Sequence, residues 1–382
     1  VAYINRGLRW TYGRVVPFRF SPDSSPLLVF SGDIPYTWSG VYFYHNLPWN
    51  RYRLVKVDTG NFGSGLVPGN MVPWAAADVD GDGLPELLAM NGEYLQDMTY
   101  LLAVLYRHPP WGQCPDSLAW RYRCDSTVAY GSEPFYITDL DLDNKADIVV
   151  YNGIRGRLWV LENTGPDSFR FVWTDTLQDA QRFAFGDFDG DGRMEFATAQ
   201  VTYGWVKVFK CTGDDQYALW DSVLVGRQNG QDVFAARNLD GSNQDVLFIS
   251  FFNYMGNFRT YLYMFEPTQA TKGYEAILVD SSVCLGRKEA SSCCADVDGD
   301  GIEELFWSCG THVIGYRQTG PRQFERVWYW SNQDSTDASL TAYDVNGNGY
   351  NELIISGGGR TFILETEAVR VLAPNGGERL AP

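Results

Sequence analysis

Five stretches of this chain place oxygen-bearing side chains at positions 1, 3, 5 and 9 of a short loop, and such a set can close around one hard cation. Three of them are the fullest: Asp78-Val-Asp80-Gly-Asp82-Gly-Leu-Pro-Glu86, Asp187-Phe-Asp189-Gly-Asp191-Gly-Arg-Met-Glu195 and Asp296-Val-Asp298-Gly-Asp300-Gly-Ile-Glu-Glu304. Two keep the spacing with substitutions: Asp139-Leu-Asp141-Leu-Asp143-Asn-Lys-Ala-Asp147 and Asp344-Val-Asn346-Gly-Asn348-Gly-Tyr-Asn-Glu352. A sixth, Asn238-Leu-Asp240-Gly-Ser242-Asn-Gln-Asp245, is one residue short; Ser242 is a poor ligand and Asp245 is displaced, so this loop is expected to be empty. Position 6 is Gly or Asn in every copy, the residues that tolerate the positive φ of a sharp reversal.

The chemistry this implies is calcium binding, since calcium accepts six to eight oxygens in loose geometry. Four converging carboxylates repel one another unless a cation sits among them. Each intact loop supplies most of an ion's ligands and leaves few positions open, and calcium polarises bound water weakly beside zinc. The expected role is therefore structural: about five ions, each fixing a turn and the register of two strands, with stability that follows calcium concentration by linkage.

The elements that must carry these loops follow from their spacing. First positions fall at 78, 139, 187, 238, 296 and 344, intervals of 61, 48, 51, 58 and 48 residues. Self-similarity at a period near 40–50 residues marks a propeller or a solenoid. Within a period come four short β-branched or aromatic runs bounded by turn residues, as in Phe196-Ala-Thr-Ala199, Trp205-Val-Lys-Val-Phe209, Tyr217-Ala-Leu-Trp220 and Val233-Phe-Ala-Ala236. No stretch sustains a 3.6-residue apolar period, so little helix is expected. Four short strands per repeat make a propeller blade. A seventh blade, without ligands in its loop, is expected around Phe18–Phe30 and its following strands. The expectation is an all-β, seven-bladed β-propeller over residues 1–366, with blades near 17–60, 72–125, 133–176, 181–224, 232–282, 290–331 and 338–366. The last repeat lacks a fourth strand, and Leu8-Arg-Trp-Thr-Tyr12 is expected to supply it and close the ring, removing the exposed edge.

These loops at this period resemble the FG-GAP/VCBS repeats of integrin α-subunit heads and of secreted bacterial propellers. Phe185-Gly186 matches the FG of the motif, but no Gly-Ala-Pro follows, which separates this chain from an integrin-like choice of ligand. The resemblance implies that each loop joins the innermost strand of a blade to the second, and that a backbone carbonyl at position 7 completes the ligand set. The tail Val371-Leu-Ala-Pro-Asn-Gly-Gly-Glu-Arg-Leu380 resembles the opening of the immunoglobulin-like modules that follow such propellers, so 367–382 is expected to be a linker or the start of a further module.

Composition narrows the function classes. The formal net charge is −17, and the ligand positions of the five intact loops hold 18 of the carboxylates; five divalent ions would bring the balance to about −7. No basic stripe is present, so nucleic acid is not an expected partner. No run of 18 or more apolar residues occurs, hence no expected membrane helix. Calcium dependence favours an exported or cell-surface protein, of the bacterial kind that the resemblance implies. Of seven cysteines, Cys114 and Cys124 could pair across a local turn, Cys293 and Cys309 could meet across an acidic hairpin, and Cys211, Cys284 and Cys294 have no evident partners. The three histidines, His45, His108 and His312, fall in different repeats, and no nucleophile elbow, His-Glu-x-x-His or phosphate loop occurs.

The face opposite the acidic loops is expected to carry aromatic residues on turns: Tyr36, Trp38, Tyr94, Tyr130, Tyr203, Tyr254 and Phe258, with Arg227 and Arg287 nearby. Aromatic platforms beside polar groups suit sugar rings or protein partners. Trp111 is a similar candidate on the loop side. The reading is a non-enzymatic binding or adhesion module for glycan or protein. Its alternative is a structural subunit of an extracellular assembly, a homo-oligomer or filament; a polysaccharide lyase or hydrolase ranks third.

Overall fold

The computed structural model describes residues 2–5, 15–19, 26–32, 40–47, 51–58, 71–95, 98–107, 117–127, 135–152, 156–166, 168–177, 180–200, 203–226, 229–237, 239–242, 244–253, 259–268, 273–283, 291–309, 312–331, 339–357 and 360–365. Every regular element among them is a strand. The strands form seven four-stranded antiparallel sheets. Six are simple meanders, spanning 16–58, 71–127, 135–176, 180–224, 229–283 and 292–331. The seventh takes three strands from 339–364 and a fourth from Ala2–Asn5, which lies antiparallel to Arg360–Leu364. The N-terminal strand is therefore Ala2–Asn5 and not Leu8–Tyr12, which lies outside the described residues, as does the tail 367–382.

Each sheet is built from inner strands that are apolar on both faces and an outer strand that alternates. Glu195–Gln200 is buried almost throughout, whereas Gln216–Leu224 exposes six of its nine residues and buries only Tyr217. A strand buried on both faces reads as a continuous apolar run, which is why the inner strands are conspicuous in the sequence. Six outer strands each carry one unpaired residue at the same place: Val55, Ala119, Val172, Trp220, Val279 and Val327. Such bulges increase the local twist and turn an open edge away from edge-to-edge pairing.

The core lies between sheets. The second and third sheets pack through Leu88, Ile148, Val150 and Trp159, the third and fourth through Val149, Tyr151, Phe183 and Phe196, and the fourth and fifth through Val206, Val208, Ile249 and Phe251. The pattern continues through the fifth and sixth sheets and the sixth and seventh. The first sheet packs on the second through Val29, Phe43, Leu87 and Ala89, and on the seventh through Val15, Leu28, Tyr42, Ile354 and Ile363. Large flat rings fill these wedges, as in the stacked pair Phe196–Phe209 at 4.8 Å.

Candidate metal centres

The five intact acidic loops share one internal architecture, and it can be built from the residues upward. Each leaves the inner strand at position 1 and enters the second strand at position 9. Position 2 is always apolar and buried: Val79, Leu140, Phe188, Val297 and Val345. Each of these side chains joins the core cluster between its own sheet and the next, so it nails the loop to the wedge. The carboxylate at position 9 is buried as well: Glu86, Asp147, Glu195, Glu304 and Glu352 are all at most 3 % exposed. One of its oxygens accepts the backbone N–H of position 2, at 3.0 Å from Val79, 2.8 Å from Leu140, 2.8 Å from Phe188, 3.3 Å from Val297 and 2.8 Å from Val345.

The aspartate at position 1 organises the tip. Asp78 accepts the N–H groups of Gly81 and Gly83, both at 2.8 Å. Asp296 does the same for Gly299 and Gly301, Asp344 for Gly347 and Gly349, while Asp187 takes Asp191 and Gly192, and Asp139 takes Asp143 and Asn144. Position 5 accepts the amide of position 7, as Asp82 does from Leu84 and Asn348 from Tyr350. At position 1 both carboxylate oxygens are engaged in this way. Position 6 adopts positive φ as its residue type implies (Gly83, Gly192, Gly301, Gly349 and Asn144). Position 4 does so too, and there Leu142 at φ 63° stands where the other loops have Gly81, Gly190, Gly299 and Gly347.

Four carboxylate groups come together closely enough to hold an ion: Asp187 with Asp189, Asp191 and Glu195; Asp78 with Asp80 and Glu86; Asp139 with Asp141 and Asp143; Asp296 with Asp298 and Asp300. Within each, ligand oxygens lie within 4.8 Å of one another. Asp82, Asp147 and Glu304 belong to the same loops outside these tightest groups. In the fifth loop Asp344, Asn346, Asn348 and Glu352 keep the arrangement, and the Asn346 side-chain amide donates to Glu352. Burial, followed by the charges of its neighbours, pushes the position-9 acid up: Glu86 to about 7 with Asp80, Asp82 and Asp78 beside it, and Asp147 to about 8 with Asp141 and Asp139. Glu195 and Glu352 also rise to about 7, burial again being the main cause, and Glu304 is raised. Burial of this kind disfavours the ionised acid unless a cation stands beside it, and an all-oxygen set matches calcium.

The loop at 238–245 is different. Leu239 is buried at position 2, but Asp245 turns away from its own loop. One oxygen accepts the Asp187 amide of the preceding sheet at 2.9 Å and the other the Arg237 guanidinium at 3.1 Å. Gly186 makes this possible, because a Cβ there would meet the Asp245 side chain at 2.9 Å. The loops thus lean on one another: Asp141 accepts the amide of Asp215 in the next sheet, and the Tyr350 ring lies on Gly299.

Two basic side chains outside the motif each contact three carboxylates of one cluster, while Lys145 and Arg19 each reach a single one, Asp143 and Asp344. Lys210 reaches Asp189 at 2.5 Å, Asp191 at 2.8 Å and Glu195 at 3.1 Å. Arg317 reaches Asp298 at 2.5 Å and Asp300 at 3.3 Å, and also bonds Glu304. Both stand on the third strand of their sheet, fifteen and thirteen residues beyond position 9, so no local motif contains them. The ligand set at 78–86 fits calcium as described; at 139–147 and 344–352 an ion would share one carboxylate with a base, Asp143 with Lys145 and Asp344 with Arg19, and at 187–195 and 296–304 it would share three with a fixed cation.

Of the aromatic candidates, Tyr203 is 64 % exposed, at the turn after Glu195–Gln200 and so at the far end of the sheet from the acidic loop. Trp205 beside it is 38 % exposed. Tyr94 ends the strand Glu86–Leu95 but its side chain is outside the described set. Tyr36, Trp38, Tyr130, Tyr254, Phe258, Arg227, Arg287 and Trp111 lie outside the described residues. His312 accepts from or donates to the Tyr329 hydroxyl at 2.6 Å, His45 lies in the strand Gly40–Leu47, and His108 is outside. Cys293 does not pair with Cys309: the register sets Cys293 across from Phe306, Cys309 is in a disulfide, and Cys293, Cys294 and Cys211 are not. Cys114 and Cys284 are outside the described residues.

A protein-family model described as an FG-GAP-like repeat matches residues 139–198 and 296–355, each beginning at the first aspartate of an acidic loop. The chain carries FG-GAP-like repeats. No curated protein matches the sequence. Among solved structures, the chain is similar to the N-terminal part of BBS1 in complex with ARL6, with 13% identity, 95% of each chain covered and a TM-score of 0.58. It is also similar to the periplasmic gluconolactonase of Pseudomonas aeruginosa (12% identity, 83% and 85% covered, TM-score 0.52). A third is an Agrocybe aegerita lectin that recognises non-reducing terminal N-acetylglucosamine (14% identity, 93% and 88% covered, TM-score 0.50). At these identities the likeness shows the fold alone, that of β-propeller proteins. No helix among the described residues is long and apolar enough to cross a membrane.

Proposed function

We propose that this chain is a closed, seven-bladed, calcium-stabilised β-propeller that works outside the cell as a non-enzymatic recognition module for glycan or protein. The observation that carries the reading is the recurrence of one carboxylate cage at equivalent places in successive sheets. The seven wedges of core, including the one between the seventh and first sheets, support ring closure, and the domain is read as 1–366. The side chains that would hold the ions are those at positions 1, 3, 5 and 9 of the five intact loops. Bound calcium supplies positive charge to buried acids and locks the turn; the chain's own residues do the rest, position 2 anchoring the loop and position 9 capping it.

Recognition belongs to the opposite face, where Tyr203 and Trp205 present exposed aromatic surface. The similar lectin binds a sugar and the similar BBS1 fragment is complexed with a protein, so propellers of this shape serve both kinds of partner. The test is binding of the calcium-loaded chain to a glycan array and to candidate surface proteins. Binding that falls at least tenfold in Tyr203→Ala with unchanged melting supports the reading. Release of reducing or unsaturated sugars, or lactone hydrolysis, by the purified chain would overturn it in favour of an enzyme.

A further inference from the structure

The loops look alike in sequence but differ at one place outside the motif. The register of each sheet sets a third-strand residue directly across from position 9. Across from Glu195 it is Lys210, and across from Asp147 it is Glu162. Leu305 pairs with Tyr316 and Leu353 with Leu364, so Arg317 lies across from Glu304 and Glu365 across from Glu352. By the same count Arg107 lies across from Glu86. A strand's period of two keeps this residue on the same face as the acid it opposes.

We propose that this cross-strand residue sets each loop's demand for calcium: Lys210 and Arg317 are built-in cations that hold loops 187–195 and 296–304 without an ion, whereas loops 139–147 and 344–352, with an acid at that position, depend on one. The inference rests on the calcium reading above and sorts four of the five loops it assigns.

The geometry at Lys210 is the stronger case. Its ammonium contacts three of the four loop carboxylates, and only 5% of the side chain is exposed. Nζ also lies over the Trp220 ring, 5.1 Å from its centroid, and a cation over an aromatic face is held electrostatically. Arg317 contacts the same three positions of its own loop and donates from two nitrogens to one oxygen of Glu304. A calcium ion at either loop must displace the base or share its ligands, and like charges at that range repel. At loop 139–147 the opposite holds. Glu162 adds a carboxylate there, and its partners are Lys145 and Arg170; Lys145 also bonds Asp143, but Asp139, Asp141 and Asp147 keep their oxygens clear of both bases. At loop 344–352 the residue across from Glu352 is the acid Glu365, and the Arg19 guanidinium reaches Asp344 alone of the ligand carboxylates described, at 3.6 Å.

The experiment counts calcium by native mass spectrometry and calorimetric titration on the whole chain, in the wild type, Lys210→Met, Arg317→Met, Lys210→Arg and Glu365→Lys. Lys210→Met and Arg317→Met are each expected to gain one ion bound at least tenfold more tightly than any at that loop in the wild type. Both should melt lower than the wild type in chelator and recover in calcium. Lys210→Arg should keep the wild-type count, and Glu365→Lys should lose one ion, which keeps the test open if a methionine variant does not fold without calcium. Equal counts and affinities in wild type and variants, with calcium bound, would overturn this inference alone. No calcium in any of the five proteins would overturn the calcium reading itself, and this inference with it.

Discussion

At the scale of single residues, the position-9 carboxylate decides how a loop behaves. Glu86, Glu195 and Glu352 titrate near 7 and Asp147 near 8 without an ion, against ordinary values of 4.5 and 3.8. Because the folded pKa is above the unfolded one, the folded state holds more protons between those values. The stability this contributes is complete below about pH 4 and is lost as pH rises through 7 to 8. In chelator, the melting temperature is therefore expected to fall from pH 5 to pH 8; in millimolar calcium the fall should disappear, as thermal scans in the two buffers will show. Flat profiles in chelator would contradict the burial of uncompensated acids. Leu142 gives a second prediction at this scale. It is an exposed leucine in the left-handed region, where a side chain costs roughly 1–2 kcal/mol and Asn much less. Leu142→Asn is expected to raise stability by about 0.5–1 kcal/mol in urea unfolding.

At the scale of the element, an acidic loop is a hairpin pinned at both ends: a buried apolar residue at position 2 and a buried acid at position 9. Phe188 is 1 % exposed within the wedge between the fourth and fifth sheets. Phe188→Ala should cost about 3–5 kcal/mol, read from denaturant unfolding, with loss of calcium affinity at its own loop and at no other. Much of this was legible in the sequence. The side-chain spacing located the loops, and the short apolar runs located the inner strands because these are buried on both faces. The apolar residue at position 2 was visible too, as Val, Leu or Phe in all copies, yet it only acquires meaning once the wedge is seen. Lys210 and Arg317 were not legible. They join their loops through cross-strand register, and register depends on the length of the intervening turn, not on a pattern within the motif. Asp245 escaped for a related reason, since its partner Asp187 lies 58 residues away in another sheet.

At the scale of the molecule, neighbouring sheets are joined by wedges of core and the chain's two ends share one sheet. Ala2–Asn5 covers Arg360–Leu364, which would otherwise be a free edge. The need for a strand from the N-terminus could be inferred from the missing fourth strand of the last repeat; which segment supplies it could not, because Leu8–Tyr12 and Ala2–Asn5 are both short and apolar. Removing residues 1–5 is expected to lower the melting temperature and to produce dimers or larger species on size-exclusion chromatography, while calcium binding at loops 78–147 persists. A monomer of unchanged stability would mean that the edge is covered in another way.

The central claim is that the acidic loops hold calcium and through it hold the fold. Its most direct measurement is the calcium content and melting temperature of the chelator-treated whole chain, before and after calcium is restored. The account predicts stoichiometric uptake of several ions and a melting temperature that climbs with calcium concentration. A chain that takes up no calcium at millimolar concentration, and melts at the same temperature with and without it, would contradict it.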